Sequence, residues 1–185
     1  MFRKSLIMFT LIMLLLGCKK EIKPNEMATD VQPSQVYYTQ FSLFQEKDNF
    51  RTTNYRKGTL IPINTRVSLV SINSGEAELR IVATGQKLTI ENVPKITLDD
   101  IQTAFKKIAA PNEVDLKQFT QEEISNILAG TAKKGMSKKA VLAAMGYPPQ
   151  HETPSLDGDV WMYWSNRYNR FVINFKNGKV DSIVD

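Results

Sequence analysis

The chain is 185 residues long and carries 24 lysines and arginines against 19 aspartates and glutamates, a formal net charge of +5. That excess is small and spread along the sequence, which argues against a nucleic-acid binder. One histidine and one cysteine leave too few ligands for a zinc site and no pair for a disulfide.

The first segment, residues 1–17, opens with two cations in Met1-Phe2-Arg3-Lys4. Leu6 to Leu16 follows, apolar except for Thr10. Eleven helical residues rise about 16 Å, well short of a hydrocarbon core of roughly 30 Å. The segment is therefore expected to be a signal peptide and not a membrane span. Leu15-Leu16-Gly17-Cys18 resembles the lipobox of bacterial lipoproteins. The resemblance implies cleavage before Cys18, which would carry covalent diacylglycerol and an N-acyl chain such as palmitate. No other cofactor is expected. Several acyl chains together anchor firmly where one alone binds only marginally.

Without the signal, 22 basic residues face 19 acidic ones. Residues 18–35, with Lys19, Lys20, Lys23, Pro24 and Pro33, carry little apolar material and predict a flexible tether behind the lipid. Lysine and not aspartate follows Cys18. By analogy with enteric lipoproteins this points to an outer membrane, with the folded part facing the periplasm.

Residues 36–112 predict a small β domain with a covering helix. Val36 to Phe44 is rich in strand formers, Phe50 to Tyr55 is a second candidate, and Leu60 to Val70 a third, with Pro62 marking an edge or a bend. Asn73-Ser74-Gly75 is a turn, and Glu78 to Ala83 and Lys87 to Glu91 complete the set. Short strands at this spacing predict a small barrel or a strongly bent meander, SH3-like in its specific form. Thr97 is expected to cap a helix whose buried face is Leu98, Ile101, Phe105 and Ile108.

Residues 113–185 predict two helices and three antiparallel strands, which makes the whole chain α+β. Thr120-Gln121-Glu122-Glu123 fits a capping box, and Ser137 caps a second helix, Lys138 to Met145, ended by Gly146 before Pro148-Pro149. Strands are expected over Asp159–Asn166, Phe171–Phe175 and Lys179–Val184, the last two joined by Asn177-Gly178. Ile124, Ile127, Leu128, Val141, Leu142 and Met145 should then meet Trp161, Tyr163, Ile173, Phe175, Val180 and Ile183.

Gly135-Met136-Ser137 with Val141, then Met145-Gly146-Tyr147-Pro148, Trp161-Met162-Tyr163 and the Asn177-Gly178 hairpin resemble the SmpA/OmlA lipoproteins, of which BamE is a member. The resemblance covers Thr120 to Asp185, roughly a third of the chain. In that family the module follows the lipid closely, whereas here residues 36–112 intervene. The resemblance implies a BamE-like αα-βββ module with a three-stranded antiparallel sheet. It also implies a non-enzymatic scaffold or accessory factor in outer-membrane protein assembly or envelope integrity, with the β-barrel assembly machine among its partners.

No catalytic pattern emerges. Cys18 is consumed by lipid, and His151 lies alone in a proline-rich connection. Ser137-Lys138-Lys139-Ala140 lacks the lysine three places after serine that penicillin-binding enzymes use. The candidate partner-binding residues are Trp164, Arg167, Tyr168 and Arg170, where an outward aromatic neighbours cations that a protein or lipid headgroup could meet. The alternative is a ligand-binding or inhibitory envelope lipoprotein whose β domain holds peptidoglycan, lipid or a protein loop.

Overall fold

The computed structural model describes residues 20–23, 26–29 and 31–185. The signal peptide and Cys18 lie outside the described residues. Seven strands come first: β1 (Val36–Thr39), β2 (Leu43–Gln45), β3 (Asn49–Arg51), β4 (Thr59–Ile61), β5 (Arg66–Ile72), β6 (Glu76–Ile81) and β7 (Lys87–Glu91). Then come α1 (Pro94–Thr97), α2 (Ile101–Ile108) and the two-residue strand β8 (Ala109–Ala110). The chain ends in α3 (Gln121–Leu128), α4 (Lys138–Met145), β9 (Val160–Trp164), β10 (Arg170–Lys176) and β11 (Lys179–Val184).

The chain is α+β. A curled six-stranded sheet runs in the order β3-β7-β6-β5-β1-β8, a three-stranded antiparallel sheet in the order β11-β10-β9, and β2 pairs with β4 alone. Two long candidate strands are split. Pro62, which has no N–H for a ladder, follows β4 directly, so β4 and β5 enter different sheets. Val36 to Phe44 divides in the same way between β1 and β2. The sheet curls far enough for β3 to pair in parallel with β7, Asn49 opposite Thr89 and Arg51 opposite Glu91.

The expected cap at Thr97 is corrected. Pro94 starts a separate turn that ends at Leu98, whose φ of 59° is left-handed. Asp100 caps α2 instead, its carboxylate accepting from the Thr103 N–H at 2.7 Å. That hydrogen bond holds the Asp100 carboxyl below its usual pKa. Leu98 is thereby left 64% exposed, and the buried face of α2 is Ile101, Ala104, Phe105 and Ile108.

The C-terminal part follows its local signals. Thr120 and Glu123 form a reciprocal capping box on α3, and the Ser137 hydroxyl accepts from Ala140 N–H at the start of α4. Trp161, Tyr163, Ile173, Phe175 and Val180 pack with Ile127, Val141 and Met145. Two expected core residues do not: Leu128, at the end of α3, is 42% exposed, and Ile183, on the outer strand β11, is 39% exposed.

The flexible tether expected over residues 18–35 is corrected in its described part. Glu21 bridges Asn73, and the Ile22 N–H donates to Ile72 O at 3.2 Å. Val31 is fully buried, while Ile22, Met27 and Ala28 pack against the same core. Tyr37 explains part of this order, because its hydroxyl accepts from the Gln32 N–H at 2.6 Å. Composition undercounted the few apolar residues, each of which finds a place on the β unit.

Candidate functional site

The end of the β9–β10 hairpin gathers the four candidate partner residues. Side chains alternate along β9, so Trp161 and Tyr163 face the core while Met162 and Trp164 face outward. Register places Arg170 directly opposite Trp164, and its guanidinium lies 5.4 Å from the Trp164 ring. Asn166 holds the hairpin tip: its side-chain oxygen accepts from the N–H groups of Tyr168 at 2.9 Å and Asn169 at 3.1 Å. Tyr168 therefore stands 82% exposed, with the Arg167 guanidinium 5.8 Å from its ring. Arg170 also lies 3.5 Å from Glu152, which joins the patch to the proline-rich loop. On the other side Tyr55 and Lys57 share a surface hollow with Asn166 to Asn169.

Behind this patch sits Arg56, whose backbone N–H donates to Trp164 O at 3.3 Å and which no local motif singles out. Its guanidinium donates to the backbone carbonyls of Gly130 at 2.7 Å, Met145 at 3.2 Å, Ala144 at 3.3 Å and Ser42 at 3.3 Å, and to Asn54 Oδ1 at 3.2 Å. The Phe44 ring covers it at 4.6 Å. Gly130, Ala144 and Met145 lie at the C-terminal ends of α3 and α4, where carbonyls lack helical partners and the helix dipole favours a cation. Burial pulls the guanidinium pKa down to about 10. Nearby, the fully buried Tyr163 hydroxyl donates to Gly146 O at 2.9 Å, and burial raises its pKa. Gly146 has a φ of +74°, and a Cβ there would meet the Phe41 ring at 2.5 Å. The glycine thus lets the two cores touch, beyond ending a helix.

A cleft of about 240 Å³ opens between α2 and the loop from Tyr147 to Leu156. Phe41 and Phe50, with ring centroids 6.1 Å apart, are among its apolar lining. The loop wall is pinned twice: Gln150 N–H donates to Ile96 O at 3.2 Å, and the Thr153 hydroxyl accepts from Met162 N–H at 3.0 Å. Polar lining groups already have partners. Asn54 donates to Met145 O at 2.6 Å, and Thr52 and Thr97 both donate to Asn92 Oδ1 at 3.1 Å. In the same lining, Lys107 pairs with Asp99 at 2.6 Å and lies 5.6 Å from the Tyr147 ring.

His151 is exposed in this loop, 3.5 Å from Glu152. Among the described residues no cluster of histidines, cysteines and carboxylates is placed to hold a metal ion, and no helix is long and apolar enough to cross a membrane. The candidate sites are an outward patch of paired aromatics and cations, and a separate apolar cleft. No family model, curated protein or solved structure matches this chain.

Proposed function

We propose that the protein is a lipid-anchored, non-enzymatic scaffold or accessory factor of the cell envelope, held by Cys18 in an outer membrane and docking onto envelope proteins. The observation that carries the docking role is the double pairing Trp164–Arg170 and Tyr168–Arg167 at a hairpin tip fixed by Asn166. Aromatic and arginine side chains held in one geometry lose little conformational entropy on contact, and they are the residue types that dominate interface energies. In this reading α3 to β11 form a BamE-like module of the SmpA/OmlA kind, the curled sheet is an SH3-like barrel, and the partners include the β-barrel assembly machine.

Two measurements test it. Mass spectrometry of the mature N-terminus should find acylated Cys18; a mature chain starting elsewhere, or an unmodified cysteine, sinks the anchor. A photoreactive residue in place of Tyr168, irradiated in intact envelopes, should crosslink to an outer-membrane assembly component. Arg167→Glu together with Arg170→Glu should reduce that crosslink at least tenfold at unchanged melting temperature. An equal crosslink yield from the charge-reversed patch would remove the docking role.

A further inference from the structure

We propose that the cleft between α2 and the Tyr147–Leu156 loop binds one fatty acyl chain, an inference that rests on the lipid-anchored assignment above. Size comes first. At about 240 Å³ the cleft exceeds an apolar cavity that takes benzene, ~150 Å³. It falls below the usual range for drug-sized ligands, which begins near ~300 Å³. One short hydrocarbon chain fits such a volume.

The chemistry of the lining selects hydrocarbon. Phe41, Phe50, Ile108, Pro149 and Leu156 supply apolar surface. The polar groups among them are bonded within the protein, Thr52 and Thr97 to Asn92 and Asn54 to Met145 O. A polar ligand would surrender its hydration there for few hydrogen bonds, whereas a methylene chain surrenders nothing. Lys107, about a third exposed and paired with a largely buried Asp99, and the half-exposed Tyr147 are lining residues open to water, beside which a headgroup would remain hydrated.

The position of the cleft favours a lipid source. Cys18 precedes Lys20 by two residues. Lys20 O accepts from Ser74 N–H, and Gly75 O accepts from Asn92 N–H, both at 2.8 Å. Asn92 in turn holds Thr52 and Thr97 of the cleft wall. The end of the body from which the chain runs back toward Cys18 is therefore tied, turn by turn, to that wall. Leu98, 64% exposed, follows Thr97 on the same side. The acyl chain can come from a bilayer lipid or from Cys18 itself.

The test uses the full chain in membranes. Cells producing it are fed a diazirine-bearing fatty acid, the membranes are irradiated, and labelled peptides are mapped by mass spectrometry. Label is expected on the peptides carrying Ile108 and Pro149 to Leu156. Leu156→Trp, which fills the cleft, should cut that label at least fivefold without changing the melting temperature; Ala104→Met, filling from α2, serves if the first variant fails to fold. A cleft peptide joined to the Cys18 peptide identifies the protein's own lipid, and one joined to a free acyl species identifies a bilayer source. Absence of label in the cleft, or label undiminished by a folded filling variant, overturns the proposal. A labelled cleft beside an unmodified Cys18 keeps the site and removes the anchor; acylated Cys18 beside an unlabelled cleft does the reverse.

Discussion

At the scale of single residues, Arg56 matters most to the architecture. It meets no carboxylate and instead donates to carbonyls of Ser42, Gly130, Ala144 and Met145. Deleting the side chain would leave the carbonyls of Ser42, Gly130 and Ala144 short of a donor, while Met145 O keeps Asn54, at ~1–3 kcal/mol for each group that water does not reach. Arg56→Ala should therefore lower the unfolding free energy by at least about 3 kcal/mol, read from urea denaturation. A loss under about 1 kcal/mol would mean that water already serves those carbonyls. Nothing in Asn54-Tyr55-Arg56-Lys57 distinguishes this arginine from its exposed neighbours, because its acceptors lie far along the chain. Tyr168 and Trp164 were legible, since strand alternation and turn chemistry are local.

At the scale of elements, the three-stranded sheet separates two tryptophans by burial. Trp161 is buried against Phe175 with ring centroids 4.6 Å apart, and Trp164 faces outward under Arg170. Trp161→Ala should cost on the order of 3–5 kcal/mol, and Trp164→Ala much less, as calorimetry of the two variants would show. The helices offer a pH-dependent pair of their own. Glu123 accepts from both the N–H and the hydroxyl of Ser137 at 2.8 Å, tying the start of α3 to the start of α4. Burial alone would raise its pKa, but the hydrogen bonds from Ser137 and Thr120 outweigh burial and lower it. A carboxylate depressed below its unfolded value, ~4.3, adds stability above that pH and loses it as pH falls through the folded value. The melting-temperature advantage over Glu123→Gln, present at neutral pH, should therefore shrink as pH falls below the unfolded value of ~4.3. An advantage that does not shrink as the solution is acidified would contradict this account. The caps of α3 and α4 and the β10–β11 hairpin were readable because each is written within four residues, whereas the cap expected at Thr97 falls at Asp100. The parallel β3–β7 pairing and the split at Pro62 were not, since they depend on where distant strands lie.

At the scale of the whole molecule, the segment preceding β1 belongs to the fold. Val31 is fully buried and Ala28 N–H donates to the Gln102 side chain at 2.7 Å. Deleting residues 20–35 should lower stability by about 2 kcal/mol or more, the scale of one buried valine with its lost hydrogen bonds. A melting temperature unchanged by the deletion would restore the loose tether that composition suggests. Lys20 is held to the fold by the Ser74 N–H, at 2.8 Å, and two extended residues span at most about 7 Å back to Cys18, so a protein acylated there would lie against its bilayer and not swing above it. The Arg56 junction has a further consequence, in time and not in space. A chain made from its N-terminus presents Arg56 before residues 130, 144 and 145 exist, so the cation stays hydrated until α3 and α4 arrive. The curled sheet then locks only as the last elements dock, and unfolding should run as one transition through both cores.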